Sequence, residues 1–196
     1  MKEFDIRLKK IQDALEKAIS LNICEEWKNE SFGKISSSVK NEYILNLISP
    51  NKNLIDLGGK RWRPLLMILC YEIAKNDSES KNNDKNNLTL SEDQIYSLTP
   101  LVEFVHTASL IHDDIEDSAD LRRGKPTSHK KFGEANALLA GDALLTHAFY
   151  LIADSVKKGN VSAMQAVNAV GELSRLAGMY GMIGGQYIDL KYENTA

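Results

Sequence analysis

Cysteine is scarce: there are two in 196 residues, and Cys24 and Cys70 stand alone, without metal-ligand spacing. That argues against a disulfide scaffold and fits a reducing compartment. No apolar run reaches bilayer-spanning length, so no membrane span is expected. The opening Met1-Lys2-Glu3-Phe4-Asp5-Ile6-Arg7 is too charged for a secretory signal, and the expected location is cytoplasmic. An excess of charge is missing too. The formal net charge of -3 offers no general attraction to nucleic acid or to an anionic membrane. Alternation of apolar and polar residues is absent over any useful length, as is an internal repeat. What remains, at 43% hydrophobic and 26% charged residues, is a globular composition spread over one expected domain, residues 1–196.

The periodicity that is present is helical. Phe4, Leu8, Ile11, Leu15 and Ile19 recur at three- and four-residue steps, the mark of an amphipathic helix. Cys24 to Ser38 reads as a connection, and Val39 to Ile48 as a short helix broken by Ser49-Pro50-Asn51. Gly58-Gly59-Lys60-Arg61-Trp62-Arg63-Pro64 gathers three cations at a helix start, where free N–H groups favour an anion. Residues 75–90, rich in Asn, Lys, Ser and Asp, read as a flexible loop. Ser91 to Gln94 forms a capping box that opens a long helix, with a kink or break expected at Pro100. Gly133 to Ala153 is a long apolar helix interrupted by Asp142 and His147. Asp142 is either a site residue or a surface carboxylate, and His147 a core or surface histidine. Val161 to Tyr192 is helical by period and holds Gly178, Gly181, Gly184 and Gly185, which suggests close packing or close approach of a ligand. The fold class is all-α, a helical bundle.

One stretch carries chemistry. His112-Asp113-Asp114-Ile115-Glu116-Asp117 places four carboxylates in five residues, directly after an apolar helix face. Asp113 and Asp117 lie one turn apart on that face, where like charges repel unless cations sit between them. Oxygen-only donors suit Mg²⁺, which takes one or two carboxylates and bridges to phosphate oxygens. Arg122 and Arg123 follow closely, and arginine's planar fork matches phosphate. An acidic platform, two basic clusters and an apolar wall ask for a ligand with a polyanionic head and a greasy tail.

Four motifs occur in one order: Gly58-Gly59-Lys60-Arg61-x-Arg63-Pro64, His106 to Asp117, Arg122-Arg123-Gly124-Lys125-Pro126-Thr127, and Gly184-Gly185-Gln186-x-x-Asp189-Leu190. In them the chain resembles the trans-isoprenyl diphosphate synthases, the polyprenyl synthetase family, over essentially its whole length. The resemblance implies an isoprenoid-synthase-type helical bundle and a Mg²⁺-dependent prenyltransferase. Its reaction would be head-to-tail 1'-4 condensation of isopentenyl diphosphate with an allylic prenyl diphosphate. By the same resemblance, Asp113 and Asp117 ligate Mg²⁺ and Asp114 completes the motif. Lys60, Arg63, His106 and Arg123 hold the isopentenyl diphosphate, and Arg122 contacts the allylic diphosphate. Gln186 and Asp189 support the reacting centre. Ala108 and Ser109, both small, lie about one turn before Asp113; by family logic they open the pocket to a geranylgeranyl or longer product. A homodimer is the family's expected assembly.

The resemblance also carries a difference. Family members have a second aspartate-rich motif on later helices, and this sequence stops at Ala196 before one appears. The expectation is therefore an N-terminal portion of such a synthase, with a second chain as a candidate source of the rest and an exposed apolar patch on the last helices. The alternative is a non-catalytic or regulatory half of a heteromeric synthase. A helical metal-dependent phosphohydrolase would want histidine ligands and leaves the basic motifs without a role. A terpene cyclase would not need Lys60, Arg63 and Arg123.

Overall fold

Helical periodicity in the sequence becomes helix in the computed structural model, which describes residues 2–80 and 90–193. The order is α1 (Glu3–Ala18), α2 (Glu25–Phe32), α3 (Asn41–Asp56), α4 (Trp62–Ser80) and α5 (Glu92–Glu116). A two-stranded hairpin follows, β1 (Leu121–Arg122) with β2 (Lys125–Pro126), and then α6 (Ser128–Phe132), α7 (Glu134–Lys157), α8 (Ala163–Ala177) and α9 (Met182–Glu193). The architecture is the all-α one expected, with α5 and α7 packed together at its centre. The main core joins Ile11 and Leu15 of α1, Ile55 of α3, Ile68 of α4, Phe104 and Ala108 of α5, and Leu144 and Ala148 of α7.

Several boundaries differ from the sequence reading, each for a local reason. The segment from Cys24 to Ser38 contains helix α2 rather than a plain connection. Cys24 Sγ accepts a hydrogen bond from the Trp27 N–H at its start, and the Trp27 ring is buried, donating from Nε1 to the Lys17 carbonyl. Helix α3 runs straight through Pro50. Proline removes one ladder bond from a helix, but the Asn51 side chain donates to the Leu47 carbonyl at 3.0 Å and to the Ala140 carbonyl of α7 at 2.8 Å. That pair of bonds ties the helix across the expected break. Helix α4 continues to Ser80, so residues 75–80 are helical rather than loop; residues 81–89 of the expected loop lie outside the described residues.

The capping box at Ser91 and Gln94 is present. Pro100 neither breaks nor ends α5. A proline frees the carbonyl four residues before it, here Tyr96, and that carbonyl accepts the Thr99 hydroxyl at 2.7 Å. The Val161–Tyr192 segment is two helices, not one, with the chain turning between Gly178 and Gly181. A Cβ on Gly181 would lie 1.9 Å from the Leu176 carbonyl oxygen and one on Gly184 1.8 Å from that of Met179. These glycines serve the corner between α8 and α9. Helix α7 is long and apolar enough to cross a bilayer by length and composition, contrary to expectation. In this fold it is the helix against which α3, α5, α6 and α8 pack.

Candidate active site

The acidic end of α5 is shaped by how the helix stops. Ser118 takes φ +53°. The Ala119 N–H returns to the Asp114 carbonyl at 2.9 Å and the Ser118 N–H to that of Ile115 at 3.1 Å. This is a Schellman closure with serine where glycine usually sits. The chain then reverses in a hairpin with a two-residue loop, Arg123-Gly124, between the paired Arg122 and Lys125. Both loop residues have positive φ, +53° and +74°, the signs of a type I′ turn, whose twist matches that of a hairpin. Thr127 fastens its base, donating from Oγ1 to the Ala119 carbonyl at 2.8 Å. The arginine pair therefore sits on a hairpin, not on a continuation of the helix.

That geometry returns Arg122 to the aspartates. Its Nε donates to Asp114 Oδ1 at 2.7 Å and its Nη2 to Asp113 Oδ2 at 2.8 Å. Asp114 is buried, 1% exposed, and its second oxygen has no hydrogen-bond partner. Burial raises its carboxyl above the ordinary carboxylate value, which the Arg122 hydrogen bond and charge oppose. Asp113 stays partly open to solvent, while Asp117 is the exposed capping residue one turn on.

Beside this platform lies a cleft of about 600 Å³. Leu101, Val102 and Val105 form an apolar wall from α5, with the small Ser109 beside them; Ile183, Tyr187 and Leu190 of α9 line the same cleft. Arg63, His106, Asp113 and Gln186 bring polar groups into the same space. Burial holds His106 below the ordinary histidine pKa, and the Arg63, Arg123 and Arg122 cations push it the same way against Glu103. His106 is thus a neutral hydrogen-bonding group near neutral pH. The Arg123 guanidinium packs over Gly59, where a Cβ would meet it at 3.3 Å, and Lys60 is exposed on the same turn.

Not every expected residue converges. Ala108 is 1% exposed inside the main core and is absent from the cleft wall, which Ser109 forms instead. Asp189 is exposed and lies outside the lining, although Gln186, three residues earlier, is in it. Arg61 does not join its neighbouring cations: it is withdrawn into an ion pair with Glu103 at 2.7 Å and donates to the Ile55 carbonyl at 2.7 Å. Asp142 faces His112 Nε2 at 3.3 Å rather than the cleft. His147 is half-buried, its ring set among those of Phe32, Phe104 and Tyr150. The α9 wall residues Ile183, Tyr187 and Leu190 went unassigned in the sequence, although their steps of four and three mark one helical face.

A second, smaller cavity of about 230 Å³ lies under α2, lined almost wholly by apolar side chains such as Ile19, Trp27 and Leu144. It brings no charged group together. Among the described residues no three His, Cys, Asp or Glu side chains form a protein-only metal cage. Asp113 and Asp117, two hard-oxygen donors on successive turns, nonetheless suit a cation such as Mg²⁺ that completes its shell with water and phosphate.

Known proteins share both sequence and fold. The chain is 43% identical over 138 residues to large subunit 1 of the chloroplastic heterodimeric geranylgeranyl pyrophosphate synthase of Arabidopsis thaliana, covering 69% of this chain and 33% of that one. It is 44% identical over 142 residues to the farnesyl diphosphate synthase of Bacillus subtilis, covering 71% of this chain and 43% of that one. The chain thus spans between a third and a half of the length of these curated relatives. A crystal structure of an FPP/GFPP synthase from Zymomonas mobilis aligns with TM-score 0.70 at 28% identity, over 96% of this chain and 58% of that one. The geranyltransferase of Legionella pneumophila aligns with TM-score 0.71 at 28% identity, over 95% and 55%. Residues 45–196 match the polyprenyl synthetase family, and the chain belongs to that family.

Proposed function

We propose that the cleft is part of a prenyltransferase site that condenses isopentenyl diphosphate with an allylic prenyl diphosphate, head to tail. The observation that carries this is the meeting of Arg63, His106 and Asp113 with an apolar wall in one cleft, with Arg122 bonded to the aspartates. In the reaction the allylic C–O bond breaks and diphosphate leaves with the electron pair. The isopentenyl double bond then attacks the allylic carbon, and a proton lost from the adjacent carbon restores a double bond. The barrier lies in charge building on the departing diphosphate, which fixed cations stabilise.

Asp113 and Asp117 would hold Mg²⁺. When bound, the metal supplies Lewis-acid stabilisation of the leaving oxygens. Arg122 serves the allylic diphosphate, and Lys60, Arg63, Arg123 and neutral His106 the isopentenyl diphosphate. Gln186, with Asp189 beyond it, supports the allylic side. Leu101, Val105 and Ser109 shield the carbocation from water and receive the tail. The small Ser109 leaves room for a geranylgeranyl or longer product, and Ser109→Phe should shorten it. The assembly is a homodimer or, as the name of the heterodimeric relative indicates, a pairing with a second, different chain.

The test is calorimetric binding of a thiolo analogue of farnesyl diphosphate, which resists ionisation. Mg²⁺ should tighten binding on the order of tenfold or more, since it adds charge-assisted contacts. Asp113→Ala and Asp117→Ala should each lose that gain. Binding indifferent to Mg²⁺ in the unsubstituted chain would contradict the reading.

A further inference from the structure

Arg122 holds two carboxylates through unequal bonds. The Nε bond goes to Asp114, 1% exposed, whose other oxygen has no partner. Breaking it would leave a buried carboxylate without its cation, a costly state. The Nη2 bond goes to Asp113, whose side chain is 33% exposed at the rim of the cleft. There, a cation or water can take over Asp113 Oδ2 without opening the core. The Schellman closure and the hairpin fix the Arg122 backbone, so any exchange takes place in the side chain.

We propose that Arg122 is a hinged counter-ion. In the metal-free chain its Nη2 edge masks Asp113. A divalent cation on Asp113 displaces that edge and makes it available to a diphosphate, while Nε stays anchored on Asp114. This rests on the prenyl diphosphate reading of the same site and adds an order to it: the phosphate-binding arginine is withheld until the metal carboxylate is engaged. Metal and diphosphate then strengthen each other's binding by the same factor, as linkage requires.

The inference predicts that removing a metal ligand improves metal-free anion binding, but only at Asp113. Binding of inorganic pyrophosphate is measured by calorimetry in EDTA for Asp113→Ala and Asp117→Ala. Each loses one negative charge, yet only the first frees Nη2. Asp113→Ala should bind about tenfold tighter than Asp117→Ala, the worth of one charge-assisted hydrogen bond. Adding Arg122→Gln to both should erase the difference. Equal affinities for the two single variants would overturn the inference while leaving the diphosphate site standing. Absence of pyrophosphate binding in the unsubstituted chain with Mg²⁺ and in both variants would overturn the site reading and the inference together.

A second measurement needs no variant to fold. In the unsubstituted chain with ¹⁵N-labelled arginine, adding Mg²⁺ without phosphate should speed exchange and rotation at the Arg122 Nη groups while its Nε–H stays protected. Arg122 signals unmoved by Mg²⁺ would refute the exchange.

Discussion

Lys60, Arg61 and Arg63 are alike in sequence, yet they divide by partner. Arg61 and Glu103 form an ion pair whose side chains are 8% and 9% exposed, and Arg61 sits at φ +49° to reach it. A buried pair is costly to break from one side and cheap to replace whole. Arg61→Met should lower stability by about 3–5 kcal/mol, whereas Arg61→Met with Glu103→Leu should recover most of that loss in urea denaturation. A double variant as unstable as the sum of the singles would contradict the buried-pair account. Nothing in the sequence separates Arg61 from its neighbours, because its partner lies on another helix. Ala108 and Ser109 make the same point: adjacent small residues of α5 lie in the core and in the cleft wall respectively.

Two histidines give the fold a pH signature. Burial lowers the pKa of His147, with Asp154 opposing, and lowers that of His106 together with the Arg63 charge. A lowered histidine pKa means that the unfolded chain binds more protons between the lowered value and the ordinary 6.5. Stability should therefore be fully present above about pH 6.5 and fall as pH drops through the lowered values, by at most about 1.4 kcal/mol per pH unit for each group. His147→Gln should flatten that slope. An unchanged slope would mean that His147 does not stay neutral among its aromatic neighbours.

At the scale of elements, how helices end matters as much as how they form. Helices α5 and α7 close with the same bonds, the latter through Gly159 at φ +69°, the former through Ser118 at +53°. Ser118→Gly should stabilise the chain by about 0.5–1 kcal/mol, relief of the left-handed strain exceeding the added chain entropy. A loss of stability would show that the Ser118 side chain contributes more than the strain costs. The long helices and the capping box at Ser91 were legible because period and capping chemistry are local. Continuation through Pro50 was not, since it depends on Asn51 reaching α7. The hairpin was also hidden: an Arg-Gly loop lacks the usual Asn-Gly signal, and its strands are too short to show alternation.

At the scale of the molecule, the acidic motif, the basic residues and the apolar wall come from α4, α5, α9 and the β1–β2 turn, and they gather where those elements meet. The all-α class could be read from the chain, and five residues named from its motifs, Arg63, His106, Ser109, Asp113 and Gln186, line one cleft. The inward turn of Arg61 could not be read there, because Glu103 lies far off in sequence on another helix, and the Arg122 bridge could not, because it depends on a hairpin the sequence does not signal. Helices α8 and α9 and the turn between them present Met164, Val167, Met179, Tyr180 and Ile188 to solvent, Tyr180 at 98% exposure. Patches of this kind commonly meet other protein surface.

The most direct test of prenyl transfer is turnover itself. Labelled isopentenyl diphosphate and farnesyl diphosphate are incubated with Mg²⁺ and the chain, alone and mixed with a polypeptide carrying the family's later helices, and the products are sized by chromatography. The account predicts a geranylgeranyl or longer product in the mixture at least, lost when Asp113 and Asp117 are replaced by alanine. No product under either condition, with the added polypeptide shown to bind, would contradict it.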